Sequence, residues 1–249
     1  MSWKYLVPNG FTALSLVLGL VSVTQSAAGE YESAAWLILL GVLLDKLDGA
    51  AARMLGASSE FGAEMDSFAD FVAFGAAPAA LAFYSLTGGV IEPGEGFVAG
   101  ACAVYTLAVA IRLARFNVTD PEGGSLMFLG VPTTLCGGLF AAAWLASHAQ
   151  GLTEAFNPAM PVTLLVFGAL MVSNVRIPKF SMRWSKPVNA FQILNLILAY
   201  VFIPLRVFPE YLFFLSFTYL VVGVTWAFFK GEDAIEEDAA TIGEHGAAE

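Results

Sequence analysis

A chain of 249 residues that is 58% hydrophobic and only 13% charged, with a mean hydropathy of +0.73, lies far outside the composition of a soluble domain of that length. Its net charge of −10 argues against a nucleic-acid partner, and its two cysteines, Cys102 and Cys136, offer neither a disulfide framework nor a metal-ligand pattern. What remains is an integral membrane protein, read as all-α.

Apolar runs of bilayer length, about 17 to 25 residues, recur along nearly the whole chain. The predicted spans are Pro8–Val23, Ala34–Ala52, Asp66–Leu86, Phe97–Leu113, Met127–Ser147, Pro161–Asn174, Val188–Leu205 and Tyr211–Phe229, a polytopic helical bundle. The first run imitates a signal peptide, but the Pro8-Asn9 pair interrupts its start, and it is read as a span. The sixth is short and starts at a proline; it reaches full length only by extending back towards Phe156.

The positive-inside rule sets the orientation. With a cytoplasmic N-terminus the inner segments hold Lys4, Arg53, Arg112, Arg115, Arg176, Lys179, Arg183, Lys186 and Lys230, and the outer loops hold only Arg206. An even number of spans returns the C-terminus to the cytoplasm. The membrane-embedded domain covers residues 1–230. Residues 231–249, GEDAIEEDAATIGEHGAAE, carry seven acidic residues and no Lys or Arg, and are expected to form a disordered, solvated tail.

Against this background the stretch LLDKLDGAAARMLGASSEFGAEMDSFAD, Leu43 to Asp70, stands out. A carboxylate in the hydrocarbon region costs roughly 2.5 to 3.5 kcal/mol on insertion scales, and here are four. Asp45 and Asp48 lie near the inner end of the second span, and Asp66 and Asp70 open the third at the same face of the membrane. Spacings of three and four place each pair on one side of its helix. Asn9 and Thr12 open the first span at this level, and Arg112 and Arg115 close the fourth.

Four carboxylates at close range need cations. Mg2+ prefers oxygen ligands and commonly joins carboxylates to a substrate phosphate, and two-metal clusters suit displacement at phosphorus. Gly49 and Gly62 fit places where backbone approaches a ligand, and Arg53 could fork onto a phosphate oxygen. The cluster Arg176, Lys179, Arg183 and Lys186 reads as a topology determinant or a contact for anionic lipid.

The pattern Asp45-x-x-Asp48-Gly49-x-x-Ala52-Arg53, eight residues, then Gly62-x-x-x-Asp66-x-x-x-Asp70 resembles the signature of the CDP-alcohol phosphotransferases at every defined position. Within that family PNGFT near the start, MDSFADFVAFGAAPA, RLARFN and MVSNVRIPKF are similar to the phosphatidylserine synthases. One departure is FLGVPTTLCGG, where a glycine-proline segment followed by a different small-residue pattern is expected. The resemblance implies a membrane enzyme that moves a phosphatidyl group from CDP-diacylglycerol, or a related CDP-lipid, to L-serine and releases CMP. It implies that Asp45, Asp48, Asp66 and Asp70 bind two divalent cations, Mg2+ or Mn2+. It further implies that Asn9, Thr12, Gly49, Ala52, Arg53 and Gly62 surround the cytidine and diphosphate, and that Asp70 is the general base. Of Arg112 and Arg115, one would hold the acceptor carboxylate and the other a phosphate. A homodimer in the cell membrane, its site open to the cytoplasm, completes the expectation.

Two other readings stand beside this one. The same chemistry could act on glycerol 3-phosphate, inositol phosphate or choline. An ion-coupled transporter would instead place its acids near the bilayer midplane within two repeats, and the sequence holds no second copy of the motif.

Overall fold

The computed structural model describes residues 3–91, 95–119, 127–178 and 186–246. Glu92, Lys179 and Arg183 lie outside the described residues, as do the side chains of Lys186 and Lys230. In chain order the elements are α1 (Leu6–Ala27), α2 (Tyr31–Leu55), α3 (Glu60–Thr87), α4 (Gly96–Thr119), β1 (Met127–Leu129), α5 (Thr133–Ala149), α6 (Thr153–Val172), β2 (Arg176–Pro178), α7 (Lys186–Leu205) and α8 (Pro209–Gly246).

Among the described residues five helices, α1, α3, α4, α6 and the Pro209–Phe229 part of α8, are long and apolar enough to cross a membrane. The protein is thus an all-α membrane protein. In α2 the charges Glu32, Asp45, Lys46, Asp48 and Arg53 dilute the apolar run, and α5 is only 17 residues long. The extension that the sixth span needs is present, because a short helix at Thr153–Phe156 and a 3-10 turn at Asn157–Ala159 run into Met160–Val172. The last helix continues through the acidic segment to Gly246, where the composition suggests disorder.

On α1 the small and polar residues face inward and the apolar ones outward. The face that α1 buries consists of Pro8, Thr12, Ser15, Gly19, Ser22 and Ser26, whereas Leu14, Val17, Leu20 and Val21 point outward. Small residues let helix backbones approach where burial of apolar surface gives no advantage over lipid. Ser22 adds a hydrogen bond to the Ala34 carbonyl of α2 at 2.9 Å. Similar apolar belts, such as Val104, Leu107 and Ile111 on α4 or Phe214, Phe217 and Val221 on α8, cover the outer faces. The shared core is built around α5, whose Cys136, Leu139, Phe140, Trp144 and Leu145 are buried with Trp36, Phe74, Tyr105 and Met160. Both cysteines are free and buried, packing residues as the sequence suggests.

A departure from α geometry occurs in α3. Residues Phe71–Ala76, immediately after Asp70, form a π-helical segment, a feature that often marks functional sites. Tyr105 of α4 donates to the Phe74 carbonyl at 2.7 Å. The segment is clasped by two glycines of its neighbours. A Cβ at Gly19 would lie 2.8 Å from the Ala73 Cα, and one at Gly137 would lie 2.9 Å from the Phe74 Cβ. Since backbone cannot yield as a side-chain tip can, Gly19→Ala is expected to cost about 1 to 3 kcal/mol. The check is a lowered thermal midpoint in detergent, set against Gly100→Ala, where a new Cβ would meet nothing within 4 Å.

The start of the fifth span differs from the expectation. Met127–Leu129 is not helical but pairs antiparallel with Arg176–Pro178, with Phe128 opposite Ile177. Gly130, at φ +75°, turns the chain out of the ribbon, and Pro132 then precedes the first residue of α5. An apolar count cannot distinguish a three-residue strand from a helical turn, so the sequence reading merged the two.

Candidate active site

The acids of the motif meet at one end of the bundle, where α1, α3 and α5 begin and α2, α4 and α6 finish. Asp45 and Asp48 come from the last turns of α2, which Gly56 ends in the left-handed conformation. Asp66 comes from α3, whose N-terminus is capped by Ser59 accepting from the Gly62 amide at 3.1 Å. One carboxylate oxygen from each of Asp45, Asp48 and Asp66 lies within 4.8 Å of the others. Asp70 is not in this trio; it is buried one turn further along α3, within electrostatic range of Asp45, Asp66 and Arg112.

The predicted supporting residues gather around the trio. The single hydroxyl proton of Thr12 is within reach of two acceptors, Asp48 Oδ2 at 2.9 Å and the Pro8 carbonyl at 3.1 Å. Asn9 approaches the start of α3 so closely that a Cβ at Gly62 would stand 3.2 Å from its Oδ1. Arg53 is exposed and folds back over Gly49, its Nη1 3.4 Å from where a Cβ would be. Ala52, one residue earlier in α2, is half-buried. Lys46, largely exposed, is 3.8 Å from Asp45.

The two arginines of α4 part company. Arg115 spends its guanidinium on the end of α6 and on β1: Nη1 donates to the Val172 carbonyl at 2.9 Å, and Nη2 shares its two protons among the carbonyls of Met171 at 2.9 Å, Ser173 at 3.0 Å and Leu129 at 3.1 Å. Gly130 makes room, since a Cβ there would lie 2.7 Å from Arg115 Nη2 and 2.2 Å from the Met171 oxygen. Arg112 instead points into the acid cluster. It is buried, its Nη1 donates to Thr133 Oγ1 at 3.3 Å, and its guanidinium lies 5.2 Å from the Phe116 ring centre. Its Nε is buried with no hydrogen-bond partner among the described residues.

Two contributors escaped the sequence reading. Thr133, the first residue of α5, donates to Asp70 Oδ2 at 3.0 Å. Asn117 donates to Ser67 Oγ at 3.0 Å and so ties the turn between Asp66 and Asp70 to the end of α4. Both lie in segments already conspicuous, GVPTT and RLARFN, but only packing reveals what they touch. Within the described surroundings of the trio the one ion pair is that of an exposed lysine, so its negative charge exceeds what the protein neutralises. A set of hard oxygen donors of this kind suits a divalent cation such as Mg2+ or Mn2+.

Four clustered acids in a membrane bundle, two of them buried, beside a polar rim from α1 and an arginine whose Nε has no partner among the described residues, are suited to bringing cations and a phosphorylated ligand together. Residues 5–170 match the family model described as CDP-alcohol phosphatidyltransferase, and the chain belongs to that family. Among its relatives are proteins named CDP-diacylglycerol–serine O-phosphatidyltransferase. That of Helicobacter pylori strain 26695 is 33% identical over 90% of this chain and 92% of its own length. That of Bacillus subtilis strain 168 is 32% identical over 70% and 90%, and that of Methanocaldococcus jannaschii is 30% identical over 68% and 72%.

Proposed function

We infer that this protein is an enzyme of phospholipid synthesis that transfers a phosphatidyl group from CDP-diacylglycerol to the hydroxyl of L-serine, giving phosphatidylserine and CMP. The observation that carries the reading is the trio Asp45, Asp48 and Asp66, with carboxylate oxygens within 4.8 Å of one another, beside a fourth acid, Asp70, that is buried. The names of the relatives supply the donor and the acceptor.

In this proposal the trio, with Asp70 completing the set, holds two divalent cations. Bound there, they would neutralise charge on the phosphoryl oxygens and on the departing CMP. Asn9, Thr12, Gly49, Ala52, Arg53 and Gly62 line the nucleotide end. Thr12 fixes Asp48, Asn9 meets Gly62 at the start of α3, and Arg53 offers a mobile fork for a phosphate oxygen. Asp70 takes the proton of the serine hydroxyl as its oxygen attacks phosphorus. Arg112, with its Nε unspent, receives the serine carboxylate, while Arg115 holds the ends of α4 and α6 together. All of α1 to α8 cross the cell membrane with both termini and the site on the cytoplasmic side, residues 1–230 forming the domain and a homodimer the assembly. Nucleotide and serine then arrive from water while the lipid chains stay in the bilayer.

The test is CMP release by the purified protein in detergent with CDP-diacylglycerol and Mn2+ or Mg2+. Release with L-serine, and none with glycerol 3-phosphate, inositol phosphate or choline, is expected, and chelation should abolish it. Asp66→Asn, which removes one charge from the trio, should raise the Mn2+ concentration needed for half-activity at least tenfold. Release with another alcohol would keep the chemistry and overturn serine as acceptor.

A further inference from the structure

Resting on the assignment of Asp70 as base, we propose that Thr133 is a positioning residue: it passes the directionality of Arg112 to Asp70 and fixes which carboxylate oxygen faces the acceptor. The three side chains form a chain of hydrogen bonds across three helices, Arg112 Nη1 to Thr133 Oγ1 at 3.3 Å and Thr133 Oγ1 to Asp70 Oδ2 at 3.0 Å. A guanidinium only donates, whereas a hydroxyl has one proton to give. With Arg112 occupying a lone pair of Oγ1, the Thr133 proton is directed to Asp70. Oδ2 is thereby engaged, and Oδ1 is left for the reacting partners.

Burial makes the arrangement rigid. Thr133 is fully buried, and Arg112 and Asp70 are 6% and 8% exposed, so water is poorly placed to substitute for the hydroxyl. Thr133 opens α5 directly after Pro132 at φ −60° and ψ 140°, where the backbone is constrained by the proline ring, and its β-branched side chain has few rotamers. The logic is that of other activated nucleophile sites, in which a third group orients the base. The same chain also joins the base to the arginine proposed to receive the acceptor carboxylate, so recognition of that carboxylate and orientation of the base share one element.

The experiment compares Thr133→Val, which keeps shape but removes the hydroxyl, with Thr133→Ser, which keeps the hydroxyl, in the CMP-release assay with whichever alcohol the wild-type protein uses. A failure of serine as acceptor is thus read from the wild type and is separate from the comparison of variants. Thr133→Val should lower kcat per folded protein about 10- to 100-fold, the size expected of a misplaced catalytic group, with the KM for CDP-lipid near wild type; the thermal midpoint should fall as well, because two buried polar groups lose a partner. Thr133→Ser should restore kcat to within about threefold of wild type, since the donor is back in place. Wild-type kcat in Thr133→Val, or a Thr133→Ser variant as slow as Thr133→Val, would overturn the proposal. So would a loss that disappears when the rate is expressed per folded protein, which is packing, or one that excess Mn2+ repairs, which is support of a metal ligand. A wild-type protein that releases no CMP with any alcohol overturns this proposal and the enzymatic reading together.

Discussion

Asp70→Asn should leave a folded protein that still binds CDP-diacylglycerol but releases CMP at least about 100-fold more slowly, the low end of what a general base contributes. The amide matches the carboxylate in size, so the Thr133 hydroxyl can still donate to the retained oxygen and the core around α3 is undisturbed. What is lost, on the role proposed for Asp70, is the ability to accept a proton from the acceptor hydroxyl. The substitution should therefore lower kcat and kcat/KM for the alcohol together, with the KM for the donor lipid little changed. Donor binding can be followed independently as a rise in thermal midpoint on adding CDP-diacylglycerol. A variant that turns over at the wild-type rate would remove Asp70 as the base; one that no longer responds to donor would make it chiefly a ligand for cations.

Arg115→Ala should act on stability instead. Its guanidinium serves carbonyls at the end of α6 and in β1, and four of these contacts are 3.1 Å or shorter. The last carbonyls of a helix have no partner within it, so deleting the guanidinium uncovers several acceptors at once. Each hydrogen bond from a charged donor is worth about 1.5 to 3 kcal/mol. Losing the group, with water partly replacing it at this half-buried position, should cost about 3 kcal/mol. The expected readout is a lower thermal midpoint in detergent, with the KM for serine unchanged in the fraction that remains folded. A rise in the serine KM at wild-type stability would instead return Arg115 to the acceptor site.

Much of the site was legible because charge in an apolar run is costly and so has few explanations. The pairs Asp45/Asp48 and Asp66/Asp70 needed only helical spacing, and their meeting with Thr12 and Arg112 followed from counting alternate span ends. The lengths of helices were legible to within about two turns except for the last, which runs on to Gly246 through the segment expected to be disordered, and even the need of the sixth span for residues near Phe156 could be seen. Three things could not. The ribbon of Met127–Leu129 with Arg176–Pro178 depends on a partner some fifty residues away, which local hydropathy does not register. The different fates of Arg112 and Arg115 depend on which neighbour each meets, α5 or α6, although the two lie three residues apart on one helix. Thr133 is one threonine of two at the start of a small-residue helix, and nothing in its local pattern marks it as the partner of an acid 63 residues earlier.

The π-helical segment after Asp70 has a consequence for how the third helix is tied to the rest of the molecule. An α-helix advances about 100° per residue, and one residue more in a turn shifts everything beyond it by about that angle. The aspartates thus keep one angular phase, set by the convergence of the acids, while Pro78 to Thr87 keep another, set by the helices they pack against. A single deletion within Phe71–Ala76 would force the two phases into agreement, and either the acids or the C-terminal half of the helix would face the wrong way. Read in this manner, the irregular turn is a coupling between two rotors, and substitutions on one side of it can be accommodated without turning the other.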